Sequence, residues 1–128
     1  MGVRRYHDLI AWQLADALHA QIYELVLKSP GARNDLRYKS QILEAADGVD
    51  SNIVEGFLRF SPGDFKRFLD YAFSSLGEAE RRLRHGIARG YFSEDACGHA
   101  LRLARRCGPA IVRLKQSQRK DWRDRRNS

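Results

Sequence analysis

A four-residue break, Ser61-Pro62-Gly63-Asp64, lies between two long helical patterns and narrows the folds open to this chain more than any other feature. Before the break, apolar side chains recur every three or four residues as far as Phe57, and the same spacing resumes from Phe65 to Ile87. Serine followed by proline is typical of a helix start, where serine caps the first turn and proline takes the first helical position. The segment therefore predicts two helices joined by a tight turn.

Two further apolar-periodic segments flank this hairpin. The first runs to Lys28, with Asp8 as its predicted N-cap, and the last begins at Ser93. Because Pro109 removes one hydrogen bond from the last helix, we expect it to bend or shorten that helix. Four long helices with short connections predict an all-α fold, an antiparallel up-down-up-down four-helix bundle.

Charge is unevenly distributed along the chain. The net charge is +7, yet residues 113–128 alone carry seven basic and two acidic side chains. We therefore predict one bundle domain over residues 1–117 and a basic C-terminal tail over residues 118–128. Such a tail is typical of a nucleic-acid arm and equally of a solubilising end.

Cysteine spacing and hydropathy indicate the compartment. Cys97 and Cys107 lie about 15 Å apart along one predicted helix, too far for a disulfide, which needs Cα atoms within about 7 Å. Free thiols suit a reducing compartment. No apolar run approaches the roughly 18 residues of a membrane span, and no secretory apolar region follows Arg4 and Arg5. These features predict a cytoplasmic protein with no membrane partner.

Polar side chains at the edges of the hairpin's apolar stripes predict a hydrogen-bonded seam between its two helices, since buried polar groups need partners. A seam of this kind favours helix register or subunit pairing over catalysis. The predicted members of this structural polar seam are Asn52, Glu55, Arg59, Ser75 and Glu78.

Aromatic side chains outside the main stripes exceed what one small core needs. Surplus apolar surface often marks a subunit contact, although half-buried aromatic residues are also common in monomers. We therefore favour a homo-oligomer. The residues concerned are Tyr23, Phe60, Tyr71 and Phe73.

No motif for catalysis or cofactor binding is found. Di-iron bundles need paired Glu-x-x-His motifs, and the nearest match is a single Asp16-x-x-His19. Cysteine and histidine do not cluster at zinc spacing, and no glycine-rich phosphate loop is present. We therefore predict a protein that is not an enzyme and has no catalytic residues, metal or cofactor.

Arginines provide the candidate nucleic-acid-binding residues, because they contact phosphates without sequence preference. The alternative is a solvated face offset by neighbouring acidic residues. The predicted set comprises Arg81, Arg82, Arg84 and Arg89 of the third helix, Arg102, Arg105, Arg106 and Arg113 of the fourth, and Arg119 and Lys120 of the tail.

The sequence Asn52-Ile53-Val54-Glu55-Gly56-Phe57, followed by the Ser74–Glu80 element, resembles the four-helix-bundle proteins encoded in 23S rRNA intervening sequences. Leu9-Ile10-Ala11-Trp12-Gln13 is similar to that family's first-helix pattern, and the resemblance covers roughly residues 6–115. Leu43 and Glu44 stand where the family usually has two arginines, so the resemblance does not give the second helix a basic face.

The resemblance implies a homo-oligomer, with a pentameric ring favoured. The accessory proteins of diversity-generating retroelements look similar, and those bind a reverse transcriptase and structured RNA. We therefore expect binding of structured RNA, or of DNA, through arginine-rich faces repeated around a ring, which adds avidity. The alternative is a protein-interaction scaffold or accessory factor, for instance for a nucleic-acid enzyme, with no direct nucleic-acid role.

Overall fold

The computed structural model describes the backbone of residues 4–127 and the side chains of residues 4–118. No strand occurs in this part of the chain, and the all-α prediction is confirmed. The elements are a 3-10 turn at Tyr6–Asp8, α1 (Ile10–Lys28), α2 (Pro30–Asn34), α3 (Leu36–Phe57), α4 (Pro62–Ala88) and α5 (Glu94–Asn127).

The four long helices form a closed cycle of contacts. α1 packs on α3, α3 on α4, α4 on α5, and α5 on α1. Short connections between successive helices make neighbours antiparallel, so the arrangement is the predicted four-helix bundle. The ring assembly and the division between residues 117 and 118 stay predictions.

Side-chain caps fix most of the helix starts. The Ser61 hydroxyl oxygen accepts the backbone N–H of Asp64 at 3.2 Å, and Ser93 accepts that of Ala96 at 3.0 Å, as the sequence predicts. The predicted cap at Asp8 is wrong. Asp8 lies in the 3-10 turn, and the buried Leu9 occupies the N-cap position because its side chain packs into the core.

Two prolines act differently from the simplest expectation. Pro30 follows the end of α1 and is also the first residue of the short helix α2, which Ser29 caps. Pro109 lies inside α5. Shortening, one of its two expected effects, is wrong because the helix continues to Asn127, whereas bending stays a prediction. Pro109 is exposed, so its ring meets water rather than a neighbouring helix, and the bundle tolerates the lost hydrogen bond.

Buried apolar side chains from all four long helices fill the core, and both cysteines are buried and free, as predicted. Burial raises the pKa of Cys107 to about 12, which keeps its thiol protonated. Among residues 4–127, no helix combines the length and apolarity needed to cross a bilayer.

The hydrogen bonds described for the polar residues of the hairpin run along each helix. Asn52 donates to the Gly48 carbonyl at 2.7 Å, and Arg59 donates to Glu55 at 2.7 Å. Glu78 likewise accepts from an arginine of its own helix.

Two of these polar residues also meet the opposite helix. A β-carbon on Gly48 would lie 2.5 Å from the Ser75 hydroxyl oxygen, so the two helices approach closely there. At the far end of α3, the Arg59 guanidinium lies over the Phe68 ring, 4.9 Å from its centroid. A role for the set in subunit pairing stays a prediction.

Candidate nucleic-acid interface

The α4 arginines have acidic partners one turn earlier in the same helix. Arg82 donates to Glu78 at 2.7 Å, and Arg81 lies 3.7 Å from the other oxygen of that carboxylate. Arg84 lies 3.4 Å from Glu80. The pairs of the exposed Arg81 and Arg84 add at most about 1 kcal/mol each to stability, but all three pairs offset the positive charge that a phosphate would meet.

The α5 arginines differ, because no carboxylate among the side chains of residues 4–118 lies within 4.0 Å of them. All four are exposed to solvent. We name them the α5 arginine face, which consists of Arg102, Arg105, Arg106 and Arg113.

Helical geometry brings these four residues to one side of α5. At about 100° per residue, Arg102, Arg106 and Arg113 fall within about 40° of one another around the axis, and Arg105 lies roughly 60° to one side of Arg102. The face extends about 16 Å along the helix at a rise of about 1.5 Å per residue.

Packing of α5 dictates which way this face points. Ala100, Ala104, Cys107 and Ile111 are buried, and the same helical geometry places them opposite the arginines. The arginine face therefore points outward, because the buried side of α5 packs against α1 and α4.

Arg89 stands apart from the other α4 arginines. It follows the last residue of α4, and its guanidinium lies over the ring of Tyr38, 5.6 Å from the centroid. One of its nitrogens lies 4.0 Å from the Asp35 carboxylate, beyond hydrogen-bond distance. Arg89 thus faces the start of α3 rather than the outer surface of α4.

A polar groove opens at this end of the bundle, with a volume of about 430 Å³. We call it the end groove; its lining residues are Asp35, Arg37, Tyr38, Gln41, Arg82, Arg89 and Tyr91. The sequence does not predict Arg37 as a site residue. Arg37 lies near Arg82 and Arg89 because the start of α3 and the α4–α5 connection are at the same end of the bundle. The spacing of these arginines along the sequence does not predict that they lie close together.

Hydrogen bonds hold the end groove in shape. The Tyr91 hydroxyl donates to Asp35 at 2.6 Å, and the Tyr38 hydroxyl donates to the Arg82 carbonyl at 2.6 Å. The bond from Tyr91 is the main cause that lowers the pKa of Asp35, and the backbone N–H of Tyr38 lowers it further. Asp35 is therefore a fixed, ionised acceptor at neutral pH.

One side-chain group has spacing that a metal ion could use. His19 of α1 lies 3.2 Å from Asp50 of α3, and with Asp47 their potential ligand atoms lie within 4.8 Å of one another. Burial raises the pKa of Asp50, and this is the leading effect on it. The sequence predicts no metal site, and Asp16-x-x-His19 is only the nearest match to a di-iron motif; the structure places His19 beside Asp50 of α3.

An apolar groove of about 410 Å³ lies between α4 and α5. Phe73 and Val112 are partly exposed there, above the buried Leu69 and Ile111. Tyr23, Phe60 and Tyr71 are also exposed, which fits the predicted surplus of aromatic surface.

The sequence model of the 23S rRNA-intervening sequence protein family matches residues 7–113. The matched range includes the α5 arginine face and all four predicted arginines of the α4 segment. Arg119 and Lys120 lie beyond it, and their side chains lie outside the described residues. No curated protein matches the chain.

Proposed function

This chain belongs to the family of 23S rRNA-intervening sequence proteins, and we propose that it is a cytoplasmic, non-enzymatic bundle that binds structured RNA through the α5 arginine face. The observation that carries the proposal is that, among the described side chains, no carboxylate lies within 4.0 Å of these four arginines. Unpaired, solvated guanidinium groups attract phosphates most strongly, because no carboxylate competes for them.

Binding through this face is electrostatic and does not read the base sequence. Four arginines over about 16 Å can meet several phosphates of one RNA strand, and each contact releases a condensed counterion. Affinity therefore falls steeply as salt rises. DNA offers the same phosphates and is the less favoured ligand, since the protein family takes its name from an rRNA element.

Assembly as a homo-oligomer, with a pentameric ring favoured, completes the proposal. A ring presents one α5 arginine face per subunit, so a single RNA can engage several weak sites at once. The exposed aromatic residues Tyr23, Tyr71 and Phe73 support such an assembly, because they leave apolar surface for a second subunit to cover.

Matched double variants test the proposal with a fluorescent RNA hairpin titrated at about 50 and 200 mM salt. We expect R102Q/R106Q to weaken binding and to reduce the slope of log affinity against log salt by about two. The control R81Q/R84Q removes the same charge from α4, where Glu78 and Glu80 already offset it, and should change binding far less. The proposal fails if the protein does not bind at the lower salt, or if both variants lose affinity equally.

A second candidate function is a scaffold for another protein, such as a nucleic-acid enzyme. The apolar groove between α4 and α5 favours it, because the partly exposed Phe73 and Val112 offer a partner surface. One stoichiometric protein partner retained after nuclease treatment, and retained equally by R102Q/R106Q, would support the scaffold over the RNA-binding function.

A further inference from the structure

The end groove is a second cationic site, at the end of the bundle where α3 begins and α4 finishes. Arg37, Arg82 and Arg89 contribute three guanidinium groups to its lining, and Asp35 contributes the single lining carboxylate. These residues lie in α3 and α4 or directly beside their ends, and none of them belongs to the α5 arginine face.

The three arginines of the groove differ in whether a carboxylate already pairs with them. Arg82 is held by Glu78 and is largely buried, with 18% of its side chain exposed. Arg37 is exposed, and no carboxylate among residues 4–118 lies within 4.0 Å of it. Arg89 reaches its nearest carboxylate only at 4.0 Å. Arg37 and Arg89 thus keep donors for an anionic ligand.

The carboxylate of the groove is fixed, and it selects among anions. Tyr91 donates to one oxygen of Asp35 and the backbone N–H of Tyr38 donates to the other. Each oxygen keeps a second lone pair that can accept from a ligand hydroxyl. A bare anion would be repelled by this carboxylate, whereas a ligand with both a phosphate and hydroxyl groups could use both kinds of side chain.

We propose that the end groove binds a ribonucleotide unit, with Arg37 and Arg89 on its phosphate and Asp35 on its ribose hydroxyls. Arginine forks match phosphate oxygens, and carboxylates are common partners of the ribose 2′-hydroxyl. The volume of about 430 Å³ holds a ligand of that size, while inorganic phosphate would leave most of it empty.

A free nucleotide and one unit of an RNA strand share this chemistry. The inference does not depend on RNA binding by the α5 arginine face, since the two sites have no residue in common. R102Q/R106Q therefore separates them, because it should weaken hairpin binding and leave ligand binding in the end groove unchanged.

Titration calorimetry at low salt tests the inference with three probes: adenosine monophosphate, inorganic phosphate, and a short single-stranded RNA with a 5′-phosphate. We expect saturable binding of the nucleotide and roughly tenfold weaker binding of inorganic phosphate. Saturable binding of the RNA alone would assign the groove to a strand rather than to a free nucleotide.

Single substitutions test whether a ligand that binds the protein binds in the end groove. R37Q and R89Q should each weaken that binding by roughly tenfold, while R84Q, on the same helix as Arg82 but outside the groove, should leave it unchanged. D35N keeps the helix cap, because asparagine also caps well, and should narrow the preference for nucleotide over inorganic phosphate.

Three results would overturn the inference. One is no saturable binding of either the nucleotide or the RNA by the wild-type protein. Another is unchanged binding in both R37Q and R89Q with unchanged melting temperatures. The third is equal affinity for inorganic phosphate and the nucleotide.

Discussion

Gly86 of α4 lies directly against the ring of Phe92, so that a β-carbon at position 86 would lie 2.5 Å from the nearest ring carbon. The Tyr38 hydroxyl is also in contact with that position. Phe92 and Tyr38 are both buried, and neither ring can turn away without disturbing the core. The absence of a side chain at Gly86 therefore lets the α4–α5 connection close over the start of α3.

Substitution of Gly86 by alanine should destabilise the bundle by about 1–3 kcal/mol, because overpacking forces buried rings from their positions. Urea unfolding followed by circular dichroism measures this free energy. Gly77 is the matched control, since it lies in α4 with nothing within 4 Å of its β-carbon position. G77A should stabilise the helix by about 0.5–1 kcal/mol, and equal effects of the two substitutions would contradict the packing argument.

Thiol reactivity should be low in the folded protein. Cys97 and Cys107 are buried, and burial raises the pKa of both thiols, so little thiolate forms near pH 8. A disulfide-exchange reagent should react slowly with native protein and should titrate both thiols in denaturant. Rapid reaction of two thiols in the native state would contradict the buried placement.

Stability should depend on pH through Asp50. Its pKa is raised above the ordinary value of 3.8, chiefly by burial, with the neighbouring Asp47 adding to the shift and His19 opposing it. The folded state therefore binds the Asp50 proton more tightly than the unfolded chain does, and this contribution to stability is lost as pH rises through the raised pKa.

Asn at position 50 removes that titration. The stability of D50N relative to wild type should increase as pH rises from about 4 to 7, which unfolding curves across this range would measure. D16N is a suitable control, since Asp16 is exposed on α1. A constant difference between D50N and wild type across the range would contradict the prediction.

Light scattering should give a particle mass several times the 14.7 kDa of one chain. The reason is the exposed aromatic surface, which an assembly can cover and a monomer leaves in water. A dilution series distinguishes a stable ring from weak association. A single species of one-chain mass at micromolar concentration would remove the ring and its avidity.

Local chemistry made most of the fold predictable from the sequence. Ser61 and Ser93 cap helices where their positions predict, because capping depends on residues only three apart. Asp8 failed as a cap because burial of Leu9, a tertiary effect, sets where α1 starts. Pro109 does not shorten α5, because the proline is exposed and the helix packs along its other side.

The candidate sites were predictable to different degrees. The outward direction of Arg102 and Arg106 follows from helical spacing relative to the buried Cys107, so the sequence contains it. Pairing of the α4 arginines with Glu78 and Glu80 also follows from spacing of three or four residues. The end groove does not follow from sequence spacing, because Arg37 and Arg89 are 52 positions apart in the sequence and come together only in the fold.

The opposite placement of buried and charged residues on α5 separates the side chains that pack the core from those that face water. Its inner side is constrained by core packing, while exposed positions on the outer side usually change stability by no more than about 0.5 kcal/mol when substituted. If the proposed binding holds, substitutions on the outer side of this one helix would change affinity for the ligand while the side chains that pack the core stay the same.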